Sequence, residues 1–216
     1  MEPDHAAYSG YLDEVEVELL RVGTARCNCL RDQSQLSAVV FLLIRAGSLL
    51  RSVLSILDNG RLDAGDAIRR AYLETWLLAF EFRLEGSQPK STLWHQGQKD
   101  SWRLGLKKIE AYTRSQGIKE PMLGKDYGGL SGVAHPTRSA AENSVALVVA
   151  PRGDSIARAS VIDAITKFEH GDLPMTMYRY LWLVIEERPG MIGTEVDITQ
   201  LPTAVKYANE FAKSLT

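Results

Sequence analysis

The stretch from Leu36 to Leu57 constrains this chain more than any other, because it is long and apolar enough to resemble a membrane span yet carries Arg45 and Arg51 inside it. Leu36, Val39, Val40, Leu43, Leu50, Val53, Leu54 and Leu57 recur at offsets of three and four, the period of a helix and not of a strand. An arginine at the centre of a bilayer costs roughly 2.5–3.5 kcal/mol on insertion scales, and here there are two. A core helix therefore explains the stretch better than a membrane span. Ser37, Phe41, Arg45, Ser48, Ser52 and Ser55 are expected on its weaker face. Asp58, Asn59 and Gly60 then supply a stop, since glycine adopts φ > 0 at little cost.

The neighbouring segments carry the same period. A first amphipathic helix is expected from about Tyr8 to Gly23, with Leu12, Val15, Leu19 and Leu20 among glutamates. Asp63 suits the N-cap of a third helix that runs to about Glu85. Its run from Ala67 to Phe82 is apolar nearly all round, which marks a central helix. A fourth, more polar helix is expected over about Lys90 to Gln116, carrying Trp94 and Trp102. Glycines and Pro136 crowd the segment Pro121 to Thr137, and the β-branched run Val145 to Val149 suits a short strand. Further helices are expected from Asp154 or Ser155 to His170, from Asp172 or Pro174 to Arg188, and after Pro202. The fold expected is all-α: a single-domain bundle over 1–216 of six or seven helices, with an irregular excursion at 121–154.

With 216 residues, 45% of them hydrophobic, such a chain can bury a sizeable core without disulfides or metals. A net charge of −2 gives no global attraction to nucleic acid or anionic membrane, so any polyanion site would have to be local. Cys27 and Cys29 flank one residue and read as reduced thiols near a helix end, and no second pair stands at ligand spacing. Neither a metal nor a cofactor is expected. The acidic opening Met1-Glu2-Pro3-Asp4 does not fit a signal peptide, so a cytoplasmic protein without membrane association is expected.

Three constellations could carry chemistry. Arg70 and Glu74, four residues apart on the apolar third helix, share one face and are expected to form a shielded pair that braces a loop or lines a polar cavity. The bend from Tyr127 through Ser131 to His135 and Pro136 holds a histidine that could act as acid, base or anchor. A nucleophile elbow does not fit there, because position 133 is Val and no strand precedes Ser131. Lys99, Arg103 and Lys107, spaced by four with Trp102 between them, are expected to form a basic stripe on a helix, the raw material of nucleic-acid contact. Arg152-Gly153-Asp154 reads as a turn and cap, and Trp182 with Tyr178 and Tyr180 as core or a dimer face.

Arg70-Ala-Tyr-Leu-Glu74, followed by Tyr127, Leu130-Ser131 and His135-Pro136, resembles the uncharacterised DUF5677-like helical proteins. They look similar in joining an R-x-x-x-E helix to a downstream Y…LS…HP segment, and the resemblance covers roughly Leu36 to Val149. It implies a helical fold with a shared polar site, not a reaction. Helical families of this general look include HEPN ribonucleases of prokaryotic defence, whose R-x4-6-H signature is absent here. The leading expectation is thus a binding protein of a defence or stress system, acting as a homodimer on a small-molecule or protein ligand, with Arg70, Tyr127 and Ser131 as ligand contacts. One alternative is a hydrolase or nuclease with Glu74 and His135 as acid–base pair and Arg70 as anion anchor. Another is a nucleic-acid binder using Lys99, Arg103 and Lys107.

Overall fold

A computed structural model describes residues 5–27, 34–58, 62–117, 175–185 and 201–214. Seven helices stand among them and no strand: α1 (His5–Cys27), α2 (Gln35–Asp58), α3 (Leu62–Arg83), α4 (Gln88–His95), α5 (Leu106–Ser115), α6 (175–185) and α7 (Pro202–Ser214). The all-α class follows the helical periodicity. The 121–154 excursion, the helix to His170 and Cys29 lie outside the described residues.

The α2 stripe sets the arrangement. Val39, Leu43, Ala46, Leu50, Val53 and Leu54 are all buried, and α2 packs along both α1 and α3. Gln35–Ile56 is long and apolar enough to cross a membrane by length and composition, and half of its most apolar window is buried within the protein. Each fully buried leucine or valine is worth about 1.5–3 kcal/mol relative to exposure. On the weaker face, Arg45 and Ser48 are exposed as expected, but Ser37 is fully buried. The reason is tertiary: this end of α2 is roofed by the end of α3 and by α4. There Gln35 donates through Nε2 to the carbonyls of Phe82 and Leu84, and its backbone N–H donates to Gln88 Oε1 at 3.1 Å.

Polar contacts set the relative direction of several of these helices. The start of α2 meets the end of α3, so those two run antiparallel. Arg51 of α2 bonds both Asp13 and Glu16 of α1, tying the second half of α2 to the middle of α1. Helix α6 runs parallel to α3: Tyr72 Oη donates to the carbonyl of Thr176 at 3.4 Å, Trp76 Nε1 to that of Arg179 at 3.2 Å, and Arg83 Nη1 to that of Leu183. Trp182 meets the Phe80 ring edge-on at 5.8 Å, so it packs against the core of this chain.

Helix α7 opens with Pro202, a residue suited to the first helical position because its missing N–H would have no partner there. The next two N–H groups, of Thr203 and Ala204, donate to the Glu18 carboxylate of α1 at 2.8 and 3.1 Å. A carboxylate at that end also meets the positive pole of the helix dipole. Further along, Tyr207 stacks on Tyr11 with ring centroids 3.8 Å apart, and Phe211 meets Tyr8 edge-on at 5.0 Å. Helices α1 and α7 are therefore antiparallel.

The expected fourth helix from Lys90 to Gln116 is instead two. Gly97 and Asp100 hold φ of +64° and +72°, and residues 96–105 form turns between α4 and α5. Positive φ at two nearby residues ends right-handed helix, whatever the period of the side chains.

Gly47 shows how closely α2 and α6 approach. Tyr180 Oη donates to the Leu43 carbonyl at 3.2 Å, and a Cβ on Gly47 would lie 2.7 Å from that hydroxyl. In an exposed helix Gly→Ala gains roughly 0.5–1 kcal/mol, but overpacking costs roughly 1–3 kcal/mol, so the clash decides the sign here. Gly47→Ala is expected to lower the urea midpoint, and Tyr180→Phe, which removes the clashing oxygen, to recover part of the loss in a double-mutant cycle. Burial, then the hydrogen bond to Glu14 and that carboxylate's charge, push the Tyr207 phenol from 10.0 up to about 12. A raised pKa favours the proton in the folded state, so this stabilisation is full below pH 10 and is lost as pH climbs toward about 12. Tyr207→Phe is expected to flatten the fall of the urea midpoint across that alkaline window.

Candidate functional site

Arg70, Glu74 and Glu81 fall on one stripe of α3, because offsets of four and seven are close to whole helical turns. Along that stripe the environment changes. Arg70 Nε donates to Glu74 Oε1 at 2.9 Å, with side chains 17% and 41% exposed. The expected shielding thus applies to the arginine, while the glutamate stands at the boundary with solvent. Among the sequence-predicted partners, Tyr127, Ser131 and His135 lie outside the described residues.

At the other end of the stripe α4, the turn and α5 cover Glu81, which is only 4% exposed. Lys90 Nζ donates to both of its carboxylate oxygens at 2.7 Å, and the Gly105 N–H donates to Oε2 at 2.7 Å. Lys90 Nζ also donates to the Arg103 carbonyl. One buried carboxylate and one lysine thereby hold the turn at two points of its backbone. Gly105 is required for this approach, since a Cβ there would lie 2.5 Å from Glu81 Oε1. Beside it, Lys108 Nζ donates to Ser87 Oγ at 2.6 Å, and that hydroxyl donates to the Glu81 carbonyl at 2.6 Å. Within the turn, Ser101 Oγ donates to the Gln98 carbonyl at 2.8 Å and the Arg103 N–H to that of Asp100 at 3.1 Å.

What this brace presents outward is unusual for a large aromatic. Trp102 is 64% exposed, whereas Trp76 is buried and Trp94 and Trp182 are half-buried. In the same turn Gln96, Gln98, Lys99 and Arg103 are exposed, as is Lys107 at the start of α5. The basic stripe expected on one helix is corrected: Lys99 and Arg103 belong to the turn and only Lys107 is helical, because of the positive φ at Gly97 and Asp100. Arg103 Nε pairs with Asp100 Oδ1 at 2.9 Å in the open. Among the described residues, no three His, Cys, Asp or Glu side chains gather as a metal centre requires.

No family model, curated protein or solved structure matches this chain. Sequence reasoning singled out the cations and Trp102 but missed the Glu81–Lys90 brace behind them. The available signal was a carboxylate inside the apolar run Leu77–Phe82, where burial without a partner would be costly.

The two ion pairs should differ sharply in worth. Lys90→Ala leaves a buried carboxylate with one partner fewer and is expected to cost about 3 kcal/mol, with faster hydrogen exchange at the Gly105 amide. Arg70→Ala, beside a glutamate open to solvent, is expected to cost under about 1 kcal/mol. Equal losses in the two variants would contradict this ranking.

Proposed function

We propose that this chain is a binding protein whose contact element is the α4–α5 turn with Trp102 at its exposed face. The observation that carries the reading is the pairing of a 64%-exposed indole with a buried charged brace directly behind its turn. Leaving an indole in water forgoes a large burial term, and aromatic side chains of this kind dominate contact energies at interfaces. The brace adds preorganisation: a turn already held in place loses little conformational freedom on binding. The defence or stress setting is motivated by the general helical look shared with families of prokaryotic defence, not by the R-x-x-x-E motif itself.

The hydrolase alternative rests on a different pair. Its acid–base pair requires Glu74 beside His135; the Glu74–Arg70 contact fits the anion anchor it also calls for, and His135 lies outside the described residues. Photo-crosslinking inside cells tests the binding reading, with benzoylphenylalanine at position 102 and, as a control, at position 17, where Val17 is 65% exposed on α1. Adducts are expected from position 102 and not from position 17. An absence of adducts at 102 would sink the reading. So would a hydrolytic activity of the wild type that well-folded Glu74→Gln and His135→Ala both abolish.

A further inference from the structure

Resting on that reading of the turn as a contact element, we infer that its partner is single-stranded nucleic acid, with a base stacked on Trp102 and phosphates met by Lys99, Arg103 and Lys107. Charge is the first reason. The chain carries −2 overall, yet Lys99–Lys108 holds four cations against the single carboxylate of Asp100. The cationic density is therefore local, in the same short stretch of chain as the exposed indole. A flat aromatic beside cations is the arrangement by which proteins hold single strands: every base offers a π-face, and the phosphates follow the charges.

The surroundings of Trp102 separate this partner from two others. The core of a protein interface is depleted in lysine, whereas the turn that carries this indole also exposes Lys99, with Lys107 exposed just beyond it. A bilayer surface would call for a contiguous apolar patch, but in the stretch from Gln88 to Gly117 Trp102 shares large exposed apolar surface only with Leu93. Exposed amides at Gln96 and Gln98 instead suit the donor and acceptor edges of an unpaired base. Rigidity is the second reason. The Glu81–Lys90 pair fixes Gly105 and the Arg103 carbonyl on either side of Leu104, so the stacking surface is set before a strand arrives.

The footprint is small and the chemistry sets its size. Three phosphate contacts on a single strand correspond to a slope of log K against log salt of about −2. Loss of one stacked base corresponds to a roughly 5- to 150-fold weakening. The test is fluorescence anisotropy of the full chain with fluorescein-labelled oligo(dT) and oligo(rU) of roughly a dozen nucleotides. Binding is expected with that salt slope. Trp102→Ala is expected to weaken it within the stated range at little change in slope, and Lys107→Ala to make the slope shallower by about 0.7. Both positions are exposed, so circular dichroism and the urea midpoint should stay at wild-type values.

No binding by the wild type up to about 100 μM protein at low salt overturns the inference, since even non-specific sites bind in that range. Equal binding by Trp102→Ala overturns it as well. The crosslink at position 102 then tells the two failures apart. A nuclease-resistant protein adduct keeps the contact element and removes nucleic acid as its partner, and no adduct removes both. Co-flotation of the unlabelled chain with anionic phosphatidylserine vesicles, lost in Trp102→Ala and without oligonucleotide binding, assigns the turn to a membrane surface and overturns the inference.

Discussion

Helix α2 has an apolar stripe that water cannot cover cheaply, and the other helices take their places by covering it. Val39, Leu43, Leu50 and Leu54 are buried because α1 lies along one side and α3 along the other. The hydrophobic effect that drives this is nearly directionless and does not by itself choose a register or an end-point for any helix. Direction comes from the polar groups that burial forces into partnership. Gln35 satisfies carbonyls at the end of α3, Trp76 and Arg83 reach carbonyls of α6, and Glu18 caps α7. In each case a side chain on one helix meets backbone on another. A slip of one residue would leave a buried donor or acceptor unmet, at a cost of about 1–3 kcal/mol each.

The Glu81–Lys90 brace belongs to this set and also shapes the surface. A buried ion pair is a weak source of net stability, because desolvating two charges offsets most of their attraction. Its worth here is geometric. By binding Gly105 N–H and the Arg103 carbonyl, it adds to the turn's short-range hydrogen bonds and to the packing of Leu104 on the core, and so sets the turn's path. The exposed Trp102 and its flanking cations sit on that path, so a charge buried beneath α4 decides how an aromatic is displayed outside.

Much of the fold was legible from periodicity alone. The offsets of three and four in α2 and the near-continuous apolar run of α3 identified both helices, and Pro202 marked the start of α7. These are local signals, since a helix repeats within a few residues of itself. The candidate site was legible only in part. Lys99, Trp102 and Arg103 were singled out by residue type but expected on a helix, because a spacing of four reads as helix unless the backbone says otherwise. Asp100 at φ of +72° is where it does, and aspartate is a residue that tolerates that region with no warning in the pattern.

The sequence by itself determined that the chain is helical, which faces of α2 and α3 are apolar, and which residue types could meet an anion. Only the tertiary structure decided that Ser37 is buried, that Glu81 is a brace, and that Glu18 caps a helix 185 positions away. The division has one physical reason. Helical periodicity is written in neighbouring residues, whereas a bond from a side chain to a distant backbone group leaves no trace in local composition. The same carboxylate could stand in water, pair with an arginine one turn away as Glu74 does, or hold a turn together as Glu81 does, and only the packing around it selects among these.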